Sequence, residues 1–170
     1  ALVAAGSKGL GRAVAPGFAR EGARLALFSR DAERIAATAE AIKSTTGAEV
    51  LPLVADVRYP DQITAAIDAT VQHFGGLDIL VTNAGGPPAG SFETVSDDDF
   101  VKAIELNLLS TIRLCRAAVP HMKAHGGSIV TITSISVKQP LADLILSNTA
   151  RTGVLGLVKS MANELGKYNI

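Results

Sequence analysis

The sequence begins with ALVAAGSKGLGRAV (residues 1–14), in which a short apolar run, a turn of small residues and a helical apolar pattern follow one another without a break. This succession predicts a strand that leads directly into the N-terminus of a helix, where unpaired backbone N–H groups and the helix dipole favour an anion. Gly9 and Gly11 carry no side chains, so a pyrophosphate could approach the backbone closely. We therefore expect a phosphate-binding turn, the alternative being a glycine turn without a ligand.

Composition indicates an ordinary globular protein. The 170 residues fit one domain with a sizeable core, and 48% of them are hydrophobic while 19% are charged. Lysine and arginine together number 16, as do aspartate and glutamate, so no basic excess for nucleic-acid binding is present. No apolar run approaches the ~20 residues that a membrane-spanning helix needs. These features favour a protein that binds neither nucleic acid nor membrane.

The cysteine and histidine content argues against a disulfide-stabilised protein and against a metal-binding protein. Cys115 is the only cysteine and lies in an apolar helical pattern, which predicts a buried thiol and excludes a disulfide framework. A reducing, cytoplasmic compartment is the resulting expectation. His73, His121 and His125 form no metal-binding spacing with acidic residues, so we expect no metal site.

Apolar runs alternate with helical patterns along the whole chain. The predicted strands lie at the start of the chain and at residues 24–29, 50–55, 77–82 and 128–133. The predicted helices run from the glycine turn to Gly22, onward from a cap at Asp31, and over residues 60–74, 96–125 and 146–165. Ser96 and Asp99 form the capping-box pattern at the start of the fourth helix. Because the sequence starts inside a strand and stops as another begins, we expect a piece of a longer protein.

This alternation predicts an α/β fold: a Rossmann-like, doubly wound parallel sheet with helices on both faces, in three layers. Ligands of such sheets bind beyond the carboxyl ends of the strands. Distinctive residues gather at five of those ends: the glycine turn, Ser29-Arg30, Asp56, Asn83-Ala84-Gly85 and Ser134. The sequence thus predicts one ligand site along this edge of the sheet.

Together these motifs resemble the short-chain dehydrogenase/reductase family, and in particular its bacterial 3-oxoacyl-[acyl-carrier-protein] reductases. The glycine turn is similar to the family's T-G-x-x-x-G-x-G, although Ala4 and Ala5 stand where Thr and Gly are usual and Gly6 follows. The resemblance implies one dinucleotide-binding domain over residues 1–170, incomplete at both ends. It implies cofactor contacts from Gly6, Ser7, Lys8, Gly9, Leu10, Gly11, Ser29, Arg30, Asp56, Val57, Asn83, Ala84, Gly85 and Arg151.

The expected cofactor is NADP(H). A 2′-phosphate needs cations, whereas a free 2′-hydroxyl prefers an acidic acceptor. Lys8 lies in the phosphate turn and Arg30 follows the second predicted strand, and family members with these two cations use NADP(H). Asp31 is the counter-argument, because it could pair with Arg30 and neutralise it.

The resemblance does not extend to the family's proton donor. Asn107 and Ser134 match the family's helix-kinking asparagine and catalytic serine. The usual Tyr-x-x-x-Lys is replaced by Ser147 and Arg151 at the corresponding positions. A serine hydroxyl is a far weaker acid than a phenol, and an arginine stays protonated, although it could hold the nicotinamide ribose. Expected catalytic residues are therefore Ser134, Asn107, Ser147 and Arg151.

Three accounts of function follow. In the first, the protein is an NADPH-dependent reductase of a small carbonyl substrate, and its proton comes from water, Ser147, Lys138 or a group beyond residue 170. In the second, it binds NADP(H) without turnover, as a sensor or assembly partner. In the third, it binds a substrate and has lost the nucleotide. Apolar residues on the two long helices, paired between subunits in the family, also predict a homodimer or homotetramer.

Overall fold

The computed structural model describes residues 1–170 and contains one sheet of five parallel strands. The strands are β1 (Leu2–Ala4), β2 (Leu25–Ser29), β3 (Val50–Val54), β4 (Ile79–Thr82) and β5 (Ser128–Thr131). Their order across the sheet is β3-β2-β1-β4-β5, so the chain winds outward from β1 in both directions. The predicted Rossmann-like parallel fold is confirmed.

Six helices connect and cover the strands. They are α1 (Gly9–Arg20), α2 (Ala32–Thr46), α3 (Pro60–Phe74), α4 (Asp97–Ile104), α5 (Ser110–Met122) and α6 (Ile145–Leu165). A π-helical turn, Glu105–Leu109, joins α4 to α5, and short 3₁₀ turns occupy Ile135–Val137 and Gly166–Tyr168. No helix combines the length and apolar content that crossing a membrane requires.

The sheet separates two apolar cores, because alternate residues of a strand point to opposite faces. In β1, Leu2 and Ala4 belong to the core beneath α3 and α5, whereas Val3 belongs to the core beneath α1 and α2. Cys115 lies within the first core, and burial raises the pKa of its thiol to about 11. The predicted buried thiol is confirmed.

Local sequence signals set several helix ends as predicted. The Asp31 carboxylate accepts a hydrogen bond from the Arg34 amide at 2.9 Å and caps α2. Ser96 and Asp99 form the expected capping box at the start of α4. The Asp31 carboxylate is therefore engaged by its own helix.

The long helix predicted over residues 96–125 consists of α4 and α5, which a π-helical turn at residues 105–109 joins, and it ends at Met122. Asn107, which the family resemblance identifies as helix-kinking, lies in that turn. The Ser110 hydroxyl donates to the Leu106 carbonyl at 2.5 Å, and Thr111 donates to the Asn107 carbonyl at 3.1 Å. Apolar periodicity alone does not report such a turn, because its flanks keep the same buried face.

The two edges of the sheet differ. Strand β3 pairs only with β2, and its central residue, Pro52, lies opposite Leu27 and is exposed. Strand β5 pairs only with β4, and its Val130 side chain is exposed. A proline has no backbone N–H to donate, so β3 is interrupted as a hydrogen-bonding edge while β5 is not.

Ala5, at the end of β1, holds a left-handed backbone with φ of 50°. Such a conformation costs an L-residue other than glycine about 1–2 kcal/mol. Gly9, at the start of α1, has a similar φ of 55°, and a Cβ built on it meets nothing within 4 Å. The turn therefore carries backbone strain at position 5 that glycine would relieve.

We expect Ala5→Gly to raise the free energy of unfolding by about 0.5–1 kcal/mol, because relief of the strained φ exceeds the entropy that glycine adds to the unfolded chain. Gly9→Ala is the matched control. It should lower the free energy of unfolding by a similar amount, because the added methyl group has space but alanine is strained at this positive φ. Urea denaturation of the three proteins measures both values. A destabilised Ala5→Gly variant would contradict the assignment of strain.

Candidate functional site

A cleft of about 1030 Å³ lies beyond the carboxyl ends of the strands, where the sequence predicts a ligand site. The glycine turn and the ends of β2, β3 and β4 contribute its walls. Seven of the predicted cofactor residues line it: Ser7, Lys8, Ser29, Arg30, Asp56, Val57 and Gly85. The fold therefore brings together residues that are up to 78 positions apart in the chain, from Ser7 to Gly85.

The remaining predicted cofactor residues lie next to these without lining the cleft themselves: Gly6, Gly9, Leu10, Gly11, Asn83, Ala84 and Arg151. The Gly6 amide donates to the Phe28 carbonyl at 3.0 Å and is engaged within the protein. Leu10 is exposed on the first turn of α1, and Ala84 packs against the core. Gly6 and Ala84 thus stabilise the fold through a backbone hydrogen bond and through core packing, respectively.

The first turn of α1 packs against the ends of β1 and β4. A Cβ at Gly11 would lie 2.5 Å from the Ala5 carbonyl oxygen and 2.8 Å from Nδ2 of Asn83. Only glycine fits there, since real Cβ atoms do not approach other atoms so closely. The amides of Gly9, Leu10 and Gly11 donate no hydrogen bond within the chain, as is usual for the first turn of a helix. These three donors remain for an anion.

Cations outnumber carboxylates in the cleft, although the chain as a whole carries equal numbers of each. Five basic residues line it (Lys8, Arg30, Arg34, Arg58 and Lys102) against three acidic ones (Asp31, Asp56 and Glu105). A low-dielectric concave surface strengthens such a local excess. The cleft is therefore suited to an anionic ligand.

Arg30 is not neutralised by Asp31. The Asp31 carboxylate instead caps α2 and lies 3.4 Å from the Arg34 guanidinium. Arg30 reaches Asp56 only at 3.9 Å, and its side chain is 66% exposed. The Arg30 guanidinium therefore keeps most of its hydrogen-bonding capacity for a ligand.

Asp56 is bound by Arg58, which follows two residues later. The Arg58 Nε and NH2 groups contact both carboxylate oxygens, the shortest distance being 2.6 Å, and the Arg58 amide donates to Oδ1 at 3.0 Å. Burial acts to raise the pKa of Asp56, but the hydrogen bonds and charge of Arg58 outweigh it and hold that pKa below its usual value. Asp56 is thus a buried anion already paired within the protein.

Asn107 and Arg151 converge on one backbone oxygen at the other end of the cleft. Asn107 lies in the π-helical turn and donates from Nδ2 to the Gly85 carbonyl at 2.7 Å. Arg151, on α6, donates to the same carbonyl at 3.4 Å and to the carbonyls of Ile132 and Thr133 at 3.3 and 3.4 Å. The buried Oδ1 of Asn107 has no partner in the chain, and such a group usually binds water.

Burial lowers the pKa of Arg151 from its ordinary value. A guanidinium nevertheless remains protonated in proteins, so Arg151 is a fixed positive charge that joins the ends of β4 and β5. It can attract or orient a polar ligand atom, but it cannot deliver a proton.

Ser134 follows β5 and is oriented by its own turn. Its Oγ accepts a hydrogen bond from the Ser136 amide at 3.1 Å, which leaves the hydroxyl proton free to donate outward. Ser147 is half-buried in the first turn of α6, four residues before Arg151, and a spacing of four places two side chains on the same helix face. Lys138 is exposed at the end of the 3₁₀ turn. The four expected catalytic residues thus belong to the elements around the Gly85 end of the cleft.

Sequence reasoning missed several residues that line the cleft: Arg34, Arg58, Tyr59, Lys102 and Glu105. A signal existed for Arg58, because a cation two residues after an aspartate at a strand end can bond back to it. No comparable signal existed for Glu105, which lies at the start of the π-helical turn.

Comparison with known proteins agrees with the fold and the motifs. The profile of the short chain dehydrogenase family matches residues 1–170. Trans-4-hydroxycyclohexanecarboxylate dehydrogenase of Sinomonas cyclohexanicum is 37% identical over 175 residues, which cover 100% of this chain and 68% of that protein.

Two solved structures are also similar. L-Sorbose reductase from Gluconobacter frateurii, complexed with NADPH and L-sorbose, superimposes with a TM-score of 0.95 at 34% identity, covering 99% of this chain and 65% of that one. The NADPH-bound short chain oxidoreductase from Pseudomonas aeruginosa PAO1 that contains an atypical catalytic center gives a TM-score of 0.96 at 32% identity, covering 99% and 66%. The present chain thus spans about two thirds of the length of these structures.

A parallel sheet with a glycine turn and polar residues at the strand ends defines a nucleotide-binding α/β protein. Within that class, the chain belongs to the short-chain dehydrogenase/reductase family.

We expect Asp56→Asn to lower the free energy of unfolding by about 1–2 kcal/mol at pH 7, because Arg58 loses a charged partner. The folded-state pKa of Asp56 is depressed, so its contribution is complete above the unfolded pKa of about 3.9 and is lost as the pH falls through the folded value. The difference between the two proteins should therefore vanish on acidification.

Denaturation in urea between pH 3 and pH 8 measures this dependence. Glu93→Gln is the control, since Glu93 is exposed and forms no ion pair. Equal stability of Asp56→Asn and the wild type at pH 7, or a difference that is as large at pH 3 as at pH 7, would contradict the assigned pairing.

Proposed function

We propose that the chain is the NADP(H)-binding part of an oxidoreductase that interconverts a carbonyl and an alcohol. The observation that carries this proposal is the cation-rich cleft at the strand ends, which reaches from Ser7 and Lys8, next to the free amides of α1, to Gly85. The family supports oxidoreductase chemistry, and two similar structures are NADPH complexes.

The residues present fit a dinucleotide phosphate. Free amides at the α1 N-terminus suit the pyrophosphate, and a Cβ at Gly9 would project into open space rather than into protein. Lys8 and the exposed Arg30 suit a 2′-phosphate, and the positions of Asp56 and Val57 suit the adenosine end. Asn83, Ala84 and Gly85 border the opposite end, where the nicotinamide would lie.

The cofactor, when bound, supplies or accepts a hydride. The chain's own residues then bind and polarise the substrate. The free hydroxyl proton of Ser134 donates to the substrate oxygen, and the fixed charge of Arg151 stabilises negative charge and holds ribose hydroxyls. Asn107 keeps a water at its unpartnered oxygen. Because Arg151 cannot deliver a proton, the proton comes from water, from Ser147, from Lys138 or from a group beyond residue 170.

The proposed substrate is a small ketone, such as a 3-oxoacyl thioester. The second candidate function is binding of NADP(H) without turnover, and one observation favours it: serine and arginine occupy the positions of the family's tyrosine and lysine. Measurement of turnover distinguishes the two functions.

We also propose a cytoplasmic homodimer or homotetramer formed through the faces of α5 and α6. The expectation rests on six apolar residues of these helices: Ile112, Leu114, Val119, Val154, Leu157 and Met161. Leu114 and Val154 are buried within their own chain and cannot contribute to an interface, whereas the other four are half-buried. Leu155, which is exposed on α6, adds to them. Light scattering on the purified protein tests the assembly, and a monomer would contradict it.

We expect the wild type to bind NADPH at least tenfold more tightly than NADH, since charge-assisted hydrogen bonds contribute about 1.5–3 kcal/mol each. Arg30→Met and Lys8→Met should each reduce this preference about tenfold or more by weakening NADPH alone. Cofactor fluorescence titration measures the constants. Arg20→Met is the control, because Arg20 is an exposed arginine at the far end of α1. Equal affinity of the wild type for both cofactors would contradict the assignment of Lys8 and Arg30.

We expect Ser134→Ala to lower kcat/KM for reduction of a ketone by roughly 10²–10³-fold while NADPH affinity is unchanged, because the hydroxyl acts only on the substrate oxygen. Oxidation of NADPH with a panel of ketones and 3-oxoacyl thioesters provides the assay. Ser147→Ala is the paired variant, and a comparable loss would identify Ser147 as the proton source. Tight NADPH binding without turnover on any substrate would favour the second function.

A further inference from the structure

Arg58 is built into the cleft more firmly than the other cations that line it. Its guanidinium makes three contacts with the Asp56 carboxylate, whose side chain is only 8% exposed, and lies 5.7 Å from the centre of the Tyr59 ring. Arg58 and Tyr59 both face the cleft, beside Val57 at the end of β3. The guanidinium is thus held in place before any ligand binds.

A second ion pair braces the backbone of the same loop. Arg113, on α5, donates to the Arg58 carbonyl at 3.0 Å and pairs with the Glu105 carboxylate. Glu105 belongs to the π-helical turn that also carries Asn107, and it lines the cleft. Arg113 itself does not line the cleft, so it can affect a ligand only through Arg58 and Glu105.

The two arginines at this end of the cleft differ in what they can offer a ligand. Asp56 engages the Nε donor and one NH2 donor of Arg58 and offsets its charge, which leaves the NH1 donors and the planar face of the guanidinium. Arg30 contacts Asp56 only at 3.9 Å, so both its donors and its charge stay available. An unpaired cation suits a phosphate, whereas a guanidinium whose charge is offset and whose plane is held by a carboxylate suits the face of an aromatic base.

We propose that Arg58 stacks on the adenine ring of the dinucleotide, with Asp56, Arg113 and Glu105 as the positioning residues that hold it. The proposal rests on the proposed NADP(H)-binding function and assigns Asp56 a different task from the direct adenine contact expected of it. Asp56 fixes the Arg58 side chain, while Arg113 and Glu105 fix the backbone that carries it. The 2′-phosphate is left to Arg30 and Lys8.

The test compares two fragments of the adenosine half, adenosine 2′,5′-bisphosphate and 5′-AMP, by calorimetric titration. Arg58→Met should lower the affinity for both fragments by the same factor, about five- to tenfold, because stacking on adenine is independent of the 2′-phosphate. Arg30→Met should weaken only the bisphosphate. Arg116→Met, an exposed arginine on α5, is the control and should change neither.

Arg113→Met tests the positioning role. We expect weaker binding of both adenosine fragments, by about threefold, with unchanged binding of reduced nicotinamide mononucleotide, since the brace acts at one end of the cleft. A merely structural role would lower the affinity for all three ligands together with the unfolding midpoint, and that result would overturn the assignment of Arg113.

The outcomes separate this inference from the proposed function. If the wild type binds NADPH but Arg58→Met leaves both adenosine fragments unaffected, the stacking role is overturned and the function is not. Loss confined to the bisphosphate would make Arg58 a phosphate ligand and would also overturn stacking. If the wild type binds no NADPH, both proposals fail.

Discussion

The site depends on how closely the first turn of α1 approaches the ends of two neighbouring strands. At Gly11 the helix lies so near the Ala5 carbonyl and the Asn83 amide that a single methyl group would not fit. The same approach places the unpaired amides of the helix start next to Ser7 and Lys8, which line the cleft, and fixes the α1 dipole relative to β1 and β4. A larger residue would displace the helix, and with it the most favourable position for a phosphate.

A local excess of positive charge lies in the cleft, while the chain as a whole carries no net charge. Equal numbers of acidic and basic side chains give no overall charge, yet five cations and three carboxylates meet in one concave surface. Within it the carboxylates have separate tasks, since Asp31 caps a helix, Asp56 holds Arg58 and Glu105 holds Arg113. Each acid therefore orders a neighbouring group, and the positive charge that a ligand would meet comes mainly from Lys8, Arg30 and Lys102.

The strand ends and the helix caps could be predicted from sequence because each depends on a few adjacent residues. The caps at Asp31 and Ser96 and the glycine turn can each be recognised from a few neighbouring residues. The parallel topology then places Arg30, Asp56 and Gly85 along one edge of the sheet. The role of Arg113 could not be found in this way. It bonds to a carbonyl 55 positions earlier, and only the fold decides which carbonyl lies within its reach. The apolar pattern did not indicate the π-helical turn either, because a widened turn leaves that pattern intact; only the family resemblance of Asn107 pointed to a kink there.

Pro52 interrupts the row of backbone donors along one border of the sheet. It occupies the middle of the outermost strand on the β2 side, where a neighbouring chain would need a continuous row of amide donors to attach. That row is broken, so β3 offers no continuous template to a strand of another chain. A single proline thus protects this border of the sheet against aggregation by strand addition.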